Sequence, residues 1–143
     1  MRLRHVLLAL VIGVGLLSRW AGATPKIEHW LAPSGARVFF VENHDLPMLD
    51  VQIDFAAGSV RDPGGKSGVA ALTSGMIDLG ASDLDEREIA SRLADIGAVL
   101  SGSADIERAS LHLRTLSVDD KRLPALALRR SVLVAPQFRA EEL

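Results

Sequence analysis

Residues 49–80 read LDVQIDFAAGSVRDPGGKSGVAALTSGMIDLG, and two different periods lie side by side in them. Leu49, Val51, Ile53 and Phe55 alternate with Asp50, Gln52 and Asp54. That is the period of a strand with one buried and one wet face. Val69, Leu72, Met76 and Leu79 then recur at helical intervals, with Gly80 placed to stop the helix. Between them, Asp62-Pro63-Gly64-Gly65 supplies turn geometries and cannot continue a ladder.

Upstream, Ile27 to Leu31 and Ala36 to Glu42 are β-prone runs joined by Pro33-Ser34-Gly35, which predicts a hairpin. Downstream, a helix opens near Asp85 with Glu88 as its capping-box partner, presents Ile89, Leu93 and Ile96 on one face, and ends at Gly97. Ala98 to Ala104 and Ala109 to Leu116 form a second predicted hairpin. The last helix begins near Asp119-Asp120, whose carboxylates suit a helix N-terminus, and carries Leu123, Leu126, Arg130 and Leu133 on one stripe. It requires Pro124 to lie in the first turn. The order ββ, β, αα, ββ, α predicts an α+β fold, a two-layer sandwich of a mainly antiparallel sheet with helices packed on one face.

Met1-Arg2-Leu3-Arg4-His5 is cationic, Val6 to Leu17 is apolar or glycine throughout, and Ala21-Gly22-Ala23 offers small residues before Thr24. This is the three-part pattern of a secretory signal peptide over residues 1–23, cleaved between Ala23 and Thr24. Twelve apolar residues reach only about 18 Å along a helix, short of the roughly 30 Å hydrocarbon core. The expected mature protein, residues 24–143, is periplasmic or secreted and has no membrane partner after cleavage. Its C-terminus, Arg139-Ala140-Glu141-Glu142-Leu143 after Pro136-Gln137-Phe138, reads as the capped start of another helix, so the domain is expected to be incomplete there.

The chain has 143 residues, 16 Lys+Arg against 18 Asp+Glu, four His and no Cys. One domain is the expectation at this length. Three of the basic residues fall in the first 23, so the remainder is mildly acidic and has no basic run. A nucleic-acid partner is excluded on that ground. Zero Cys removes thiolate zinc sites, thiol nucleophiles and disulfides.

Several landmarks, taken together, resemble a known family. They are Ser34-Gly35 with Arg37-Val38, Ala57-Gly58-Ser59-Val60-Arg61-Asp62, Gly65-Lys66-Ser67-Gly68-Val69-Ala70, Glu88 through Ile96-Gly97-Ala98, and Val134-Ala135-Pro136-Gln137-Phe138. The stretch from Leu31 to Phe138 resembles the N-terminal domain of the pitrilysin/insulinase zinc peptidases, family M16, which includes the mitochondrial processing peptidases. In members that cleave peptides, the helix after Gly-Lys-Ser-Gly continues as His-x-x-Glu-His. Residues i and i+4 share one helix face, so two imidazoles reach one Zn²⁺ while the Glu serves as general base on the bound water.

Those positions here hold Ala71, Ser74 and Gly75, none of which can bind or activate a zinc-bound water. The resemblance therefore implies no catalytic or metal residue in this chain, no cofactor of its own, and zinc in a partner subunit. The family's third ligand would fall beyond Leu143. The implied role is that of the non-catalytic half of a heterodimer with an active M16 subunit, acting on an extended peptide substrate. Such peptides add to a sheet edge. The matching strand is Val99-Leu100-Ser101-Gly102, where active relatives more often have Asn-Ala at the last two positions; an ordinary internal strand is the plainer reading. Ala71, Ser74 and Gly75 are expected to form a small-residue outer helix face that packs against another element.

Other motifs reduce to structure. Gly65-Lys66-Ser67 resembles a phosphate loop but has Val60 where that loop needs glycine. Ser74 has no histidine base evident in the sequence. His44 beside Asp45 and His112 on a wet strand face read as solvated, and Asp83 to Glu88 reads as helix capping rather than a calcium loop. A stand-alone peptide-binding module and an inactive fragment of a larger M16 protein are the alternative functions.

Overall fold

The computed structural model describes residues 25–139. The expected signal peptide and its Ala23–Thr24 cleavage point lie outside the described residues, as do residues 140–143. The chain divides into two compact units, Met1–Asp45 and Leu46–Leu143.

In the first unit, β1 (Ile27–Leu31) pairs antiparallel with β2 (Arg37–Val41), Ile27 opposite Val41 and Leu31 opposite Arg37. Gly35 closes the turn at φ +84°, a conformation that favours glycine, and its N–H donates to the Ala32 carbonyl at 2.8 Å. Two cross-strand aromatic pairs tie the strands, His29 with Phe39 at 6.4 Å and Trp30 with Phe40 at 6.5 Å between ring centroids.

The second unit runs β3 (Met48–Phe55), α1 (Val69–Gly75), β4 (Gly80–Ala81), β5 (Leu84–Asp85), α2 (Glu86–Ile96), β6 (Val99–Ala104), β7 (Ala109–Leu116) and α3 (Asp119–Val134). The main sheet is antiparallel in the order β3-β7-β6. Alternation sorts its two faces. Leu111, Leu113 and Thr115 of β7 are buried with Leu100 of β6, and the helical residues Ile89, Ala125, Leu128 and Val132 close over them. Helix α1 packs on β6 and β7, α3 packs on β7, and α2 packs on α3.

The opposite sheet face is polar. Asp50 receives two hydrogen bonds from Arg114 across the ladder, at 2.7 and 3.0 Å, and this guanidinium holds its carboxyl below the ordinary carboxylate value. Asp54 accepts from Ser110 Oγ at 2.6 Å and from Gln52, which lowers its pKa as well. The architecture is the expected α+β one, with antiparallel sheets and the helices on one face.

The Asp85 capping box forms as the sequence predicts: Asp85 accepts from the Glu88 N–H at 2.8 Å and Glu88 accepts from the Asp85 N–H at 3.0 Å. Gly97 ends α2 in the left-handed region at φ +65°. Two helix expectations fail. Helix α1 stops at Gly75 rather than near Leu79, and Gly80 opens a strand instead of ending a helix. Gly80 accepts from the Gln137 N–H at 2.8 Å and Ala81 bridges Pro136, so this segment is drawn into sheet pairing.

In α3 the core stripe is Ala125, Leu128 and Val132, while Leu123 and Arg130 face solvent and Leu126 and Leu133 are half-buried. Pro124 lies at the sixth position, past the first turn. Its ring nitrogen leaves only the Asp120 carbonyl without its helical donor. Asp120 is exposed and water can serve that group, so the helix continues.

Candidate functional site

The loop before α1 is fastened at two points. Ser59 and Val60 donate their N–H groups to the Asp105 and Ile106 carbonyls at 2.9 Å each, pinning the loop to the β6–β7 turn. A Cβ on Gly58 would collide with the Arg108 nitrogen, so only glycine fits this approach. The Asp62 carboxylate then accepts from the Gly68 N–H at 2.7 Å and the Ala70 N–H at 2.8 Å, filling two of the donors that a helix start leaves open. No short-range sequence rule finds this cap, because the carboxylate reaches forward across six and eight residues. The Gly65-Lys66-Ser67-Gly68 stretch is the turn that permits it, with Gly65 and Gly68 at positive φ.

Helix α1 lies directly on β6. Ser74 is buried, and a Cβ on Gly102 would run into the Ser74 carbonyl and sit 2.7 Å from Ile77 Cγ2. Ala71 and Gly75, four residues apart, are exposed. The expected outer face of three small residues is therefore corrected to two, since Ser74 is turned out of it. These positions do not fit zinc. Ala71 and Gly75 carry no donor atom, and the buried Ser74 offers a single hydroxyl. Among the described residues no three His, Asp or Glu side chains cluster as metal ligands. His44 is in an exposed pair with Glu42 at 2.9 Å and His112 lies 3.5 Å from Asp50, both apart from α1 in sequence and pairing.

Strand β6, which carries Val99, Leu100, Ser101 and Gly102, pairs within its sheet with β7 alone. The direction of its free groups follows from the ladder. The Asp105 N–H donates to the Arg108 carbonyl at 2.8 Å, and bonded pairs alternate along an antiparallel ladder. Ser103/Ser110, Ser101/His112 and Val99/Arg114 are then the bonded pairs. The Ser117 N–H to Pro47 carbonyl bond, 2.9 Å, gives the odd residues of β7 to β3, in agreement. Leu100, Gly102 and Ala104 thus aim their N–H and C=O groups outward. Their side chains lie on the helix face, while the exposed Val99 and Ser101 lie on the polar one.

A groove of about 310 Å³ between α2 and α3, lined by Leu84, Ile96, Pro124 and Leu128 with Arg92 and Asp95, was not legible in the sequence. It shares no lining residue with α1 or β6. No helix among the described residues is long and apolar enough to cross a membrane.

No protein-family model and no curated protein matches the chain. Solved structures do. The peptidase M16 inactive domain from Pseudomonas fluorescens is 40% identical, with a TM-score of 0.77 over 82% of this chain and 28% of that one. A protease from Helicobacter pylori is 19% identical, TM-score 0.69, over 83% of this chain and 28% of that one. The periplasmic protease PqqL from Escherichia coli is 14% identical, TM-score 0.71, over 82% of this chain and 13% of that one. The last two show the fold alone. The fold and the motif positions on α1 define an M16-type peptidase domain. This chain is an M16 homologue that holds Ala71, Ser74 and Gly75 at the positions of the His-x-x-Glu-His motif, and it spans little more than a quarter of the Pseudomonas relative's length.

Proposed function

We propose that this chain acts as the non-catalytic subunit of an M16-type peptidase, paired with a zinc-bearing subunit that performs the cleavage. The observation that carries this reading is the contrast between α1 and β6. The helix has no donor set at Ala71, Ser74 and Gly75, while the neighbouring strand keeps an outward row of backbone groups at Leu100, Gly102 and Ala104. Such a row holds an extended peptide through its main chain and needs no particular side chain at Ser101 or Gly102. The protein then contributes binding and enclosure, and its partner contributes the metal. The 40% identical domain described as inactive supports the first half of this reading. A periplasmic address agrees with the leader pattern of Met1–Ala23 and with the periplasmic description of one fold neighbour.

The same outward row favours a second reading, a stand-alone module that captures peptides by strand addition. Native protein isolated from periplasmic extract, analysed by mass spectrometry and for zinc, separates the two. Recovery with a His-x-x-Glu-His protein, zinc in the complex and none in the separated chain is expected. Stoichiometric zinc in the separated chain would overturn the proposal. Recovery alone with peptide bound would move the assignment to the module, and recovery alone without peptide would leave an inactive fragment of a larger M16 protein.

A further inference from the structure

The groove between α2 and α3 joins an apolar wall to two opposite charges. Its volume, about 310 Å³, falls at the lower end of the range for clefts that hold small ligands. Leu84 and Leu128, both buried, line it with the half-buried Ile96, and Pro124 and Ala127 complete the apolar part. The Ser131 hydroxyl is already spent, since it donates to the Ala127 carbonyl at 3.3 Å.

Arg92 and Asp95 of α2 supply the rest of the lining, and both are exposed. Neither forms an ion pair, with the other or with any side chain, among the described residues. The charges nearest to them are engaged elsewhere. Glu88, one turn before Arg92, turns back to accept from the Asp85 N–H at 3.0 Å. Lys121 donates to the Asp95 backbone carbonyl at 3.2 Å rather than to its carboxylate. A guanidinium and a carboxylate therefore stand open beside one apolar wall.

That layout selects for a ligand of matching layout, with an anionic end for Arg92, a cationic end for Asp95 and an apolar body between them. Size narrows the class further. Positions i and i+3 of a helix set their Cβ atoms about 5–6 Å apart. Two extended residues span at most about 7 Å, so the ammonium and carboxylate of a dipeptide suit that separation. Both ends of a single amino acid sit on one carbon, and three residues reach about 10 Å. We propose that the groove binds an apolar dipeptide with both ends free, its carboxylate on Arg92, its ammonium on Asp95 and its side chains against Leu84, Ile96 and Leu128. This inference stands on the groove alone and is independent of the subunit pairing proposed above.

Titration of the isotope-labelled full chain with leucyl-leucine, followed by backbone amide NMR shifts, tests this. N-acetyl-leucyl-leucinamide is the comparison, because it keeps the apolar body and lacks both charged ends. Saturable shifts confined to α2 and α3 are expected, with the blocked peptide bound about tenfold more weakly, each exposed ion contact being worth about threefold. Arg92→Gln and Asp95→Asn, both at exposed positions, should each weaken leucyl-leucine about threefold and leave the blocked peptide unchanged. Ala127→Phe, also at an exposed position, should fill the groove and abolish the binding of both. Equal binding of the two peptides, shifts centred on β6, or binding that survives Ala127→Phe would each overturn the proposal, as would the absence of saturable shifts.

Discussion

A single missing side chain decides how closely α1 can lie on the sheet. A Cβ at Gly102 has nowhere to go, because the Ser74 backbone and Ile77 already occupy its place. Gly102→Ala should therefore destabilise the chain by about 1–3 kcal/mol through overpacking. Gly64→Ala is the control, since nothing lies within 4 Å of the position a Cβ would take. Matched denaturant melts check this, and equal curves for the two variants would show that α1 is not seated on β6 as described. Asp78 makes a different point. Burial raises its pKa above 3.8 and the charge of Glu86 adds to the rise, while its own backbone N–H opposes it. The folded state therefore prefers the protonated form. The benefit is complete below pH 3.8 and is lost as pH rises through the raised value, so at neutral pH the carboxylate is a burden. Asp78→Asn should raise the melting temperature at pH 7, with the gain shrinking toward pH 4. A gain of the same size at both values would mean that charge is not the cause.

At the scale of elements, the β6–β7 ladder predicts opposite outcomes for neighbouring residues. Ala104 directs its N–H outward, where proline is tolerated on an edge, whereas Ser103 bonds to Ser110. Ala104→Pro should keep the fold and weaken the capture of a fluorescent extended peptide. Ser103→Pro removes a ladder hydrogen bond and should destabilise the chain clearly more than Ala104→Pro does. NMR spectra with peptide titration check both, and a reversed order would mean that the inward and outward rows have been exchanged. Strands like these were legible because alternation records two unlike faces: Leu111 and Leu113 against His112 and Arg114 leave no doubt about which side is buried. The α2 boundaries were legible because a capping box and a left-handed glycine are local chemistry. Helix α1 was read too long because Met76 and Leu79 keep helical spacing while serving a turn and a strand pairing that depends on Gln137, far along the chain. The stripe of α3 was misplaced because Ala125, fully buried, is too small to stand out beside exposed Leu123. In the candidate site, the missing ligands could be read position by position. The burial of Ser74 could not, since it depends on a sheet contact that spacing along α1 does not record.

For the whole molecule, the open side of α1 is where the proposed subunit pairing meets a physical test. Gly75 is the last residue of α1, is exposed, has no positive φ, and has nothing within 4 Å of a Cβ. Leucine there meets no obstacle inside the chain, and helix propensity favours it over glycine by up to about 1 kcal/mol. Gly75→Leu should therefore leave the isolated chain as stable as before or slightly more so. An assembled peptidase presents a different environment, since a partner that comes close to Ala71 and Gly75 would meet four added carbon atoms. Loss of about 1.4 kcal/mol of association free energy would appear as a tenfold weaker dissociation constant. Analytical ultracentrifugation with the co-purified subunit, beside a thermal melt of the chain alone, reads both quantities. Unchanged stability with weakened association places the interface on this helix. Reduced stability with unchanged association would mean instead that Gly75 is packed within the chain and that the partner binds elsewhere.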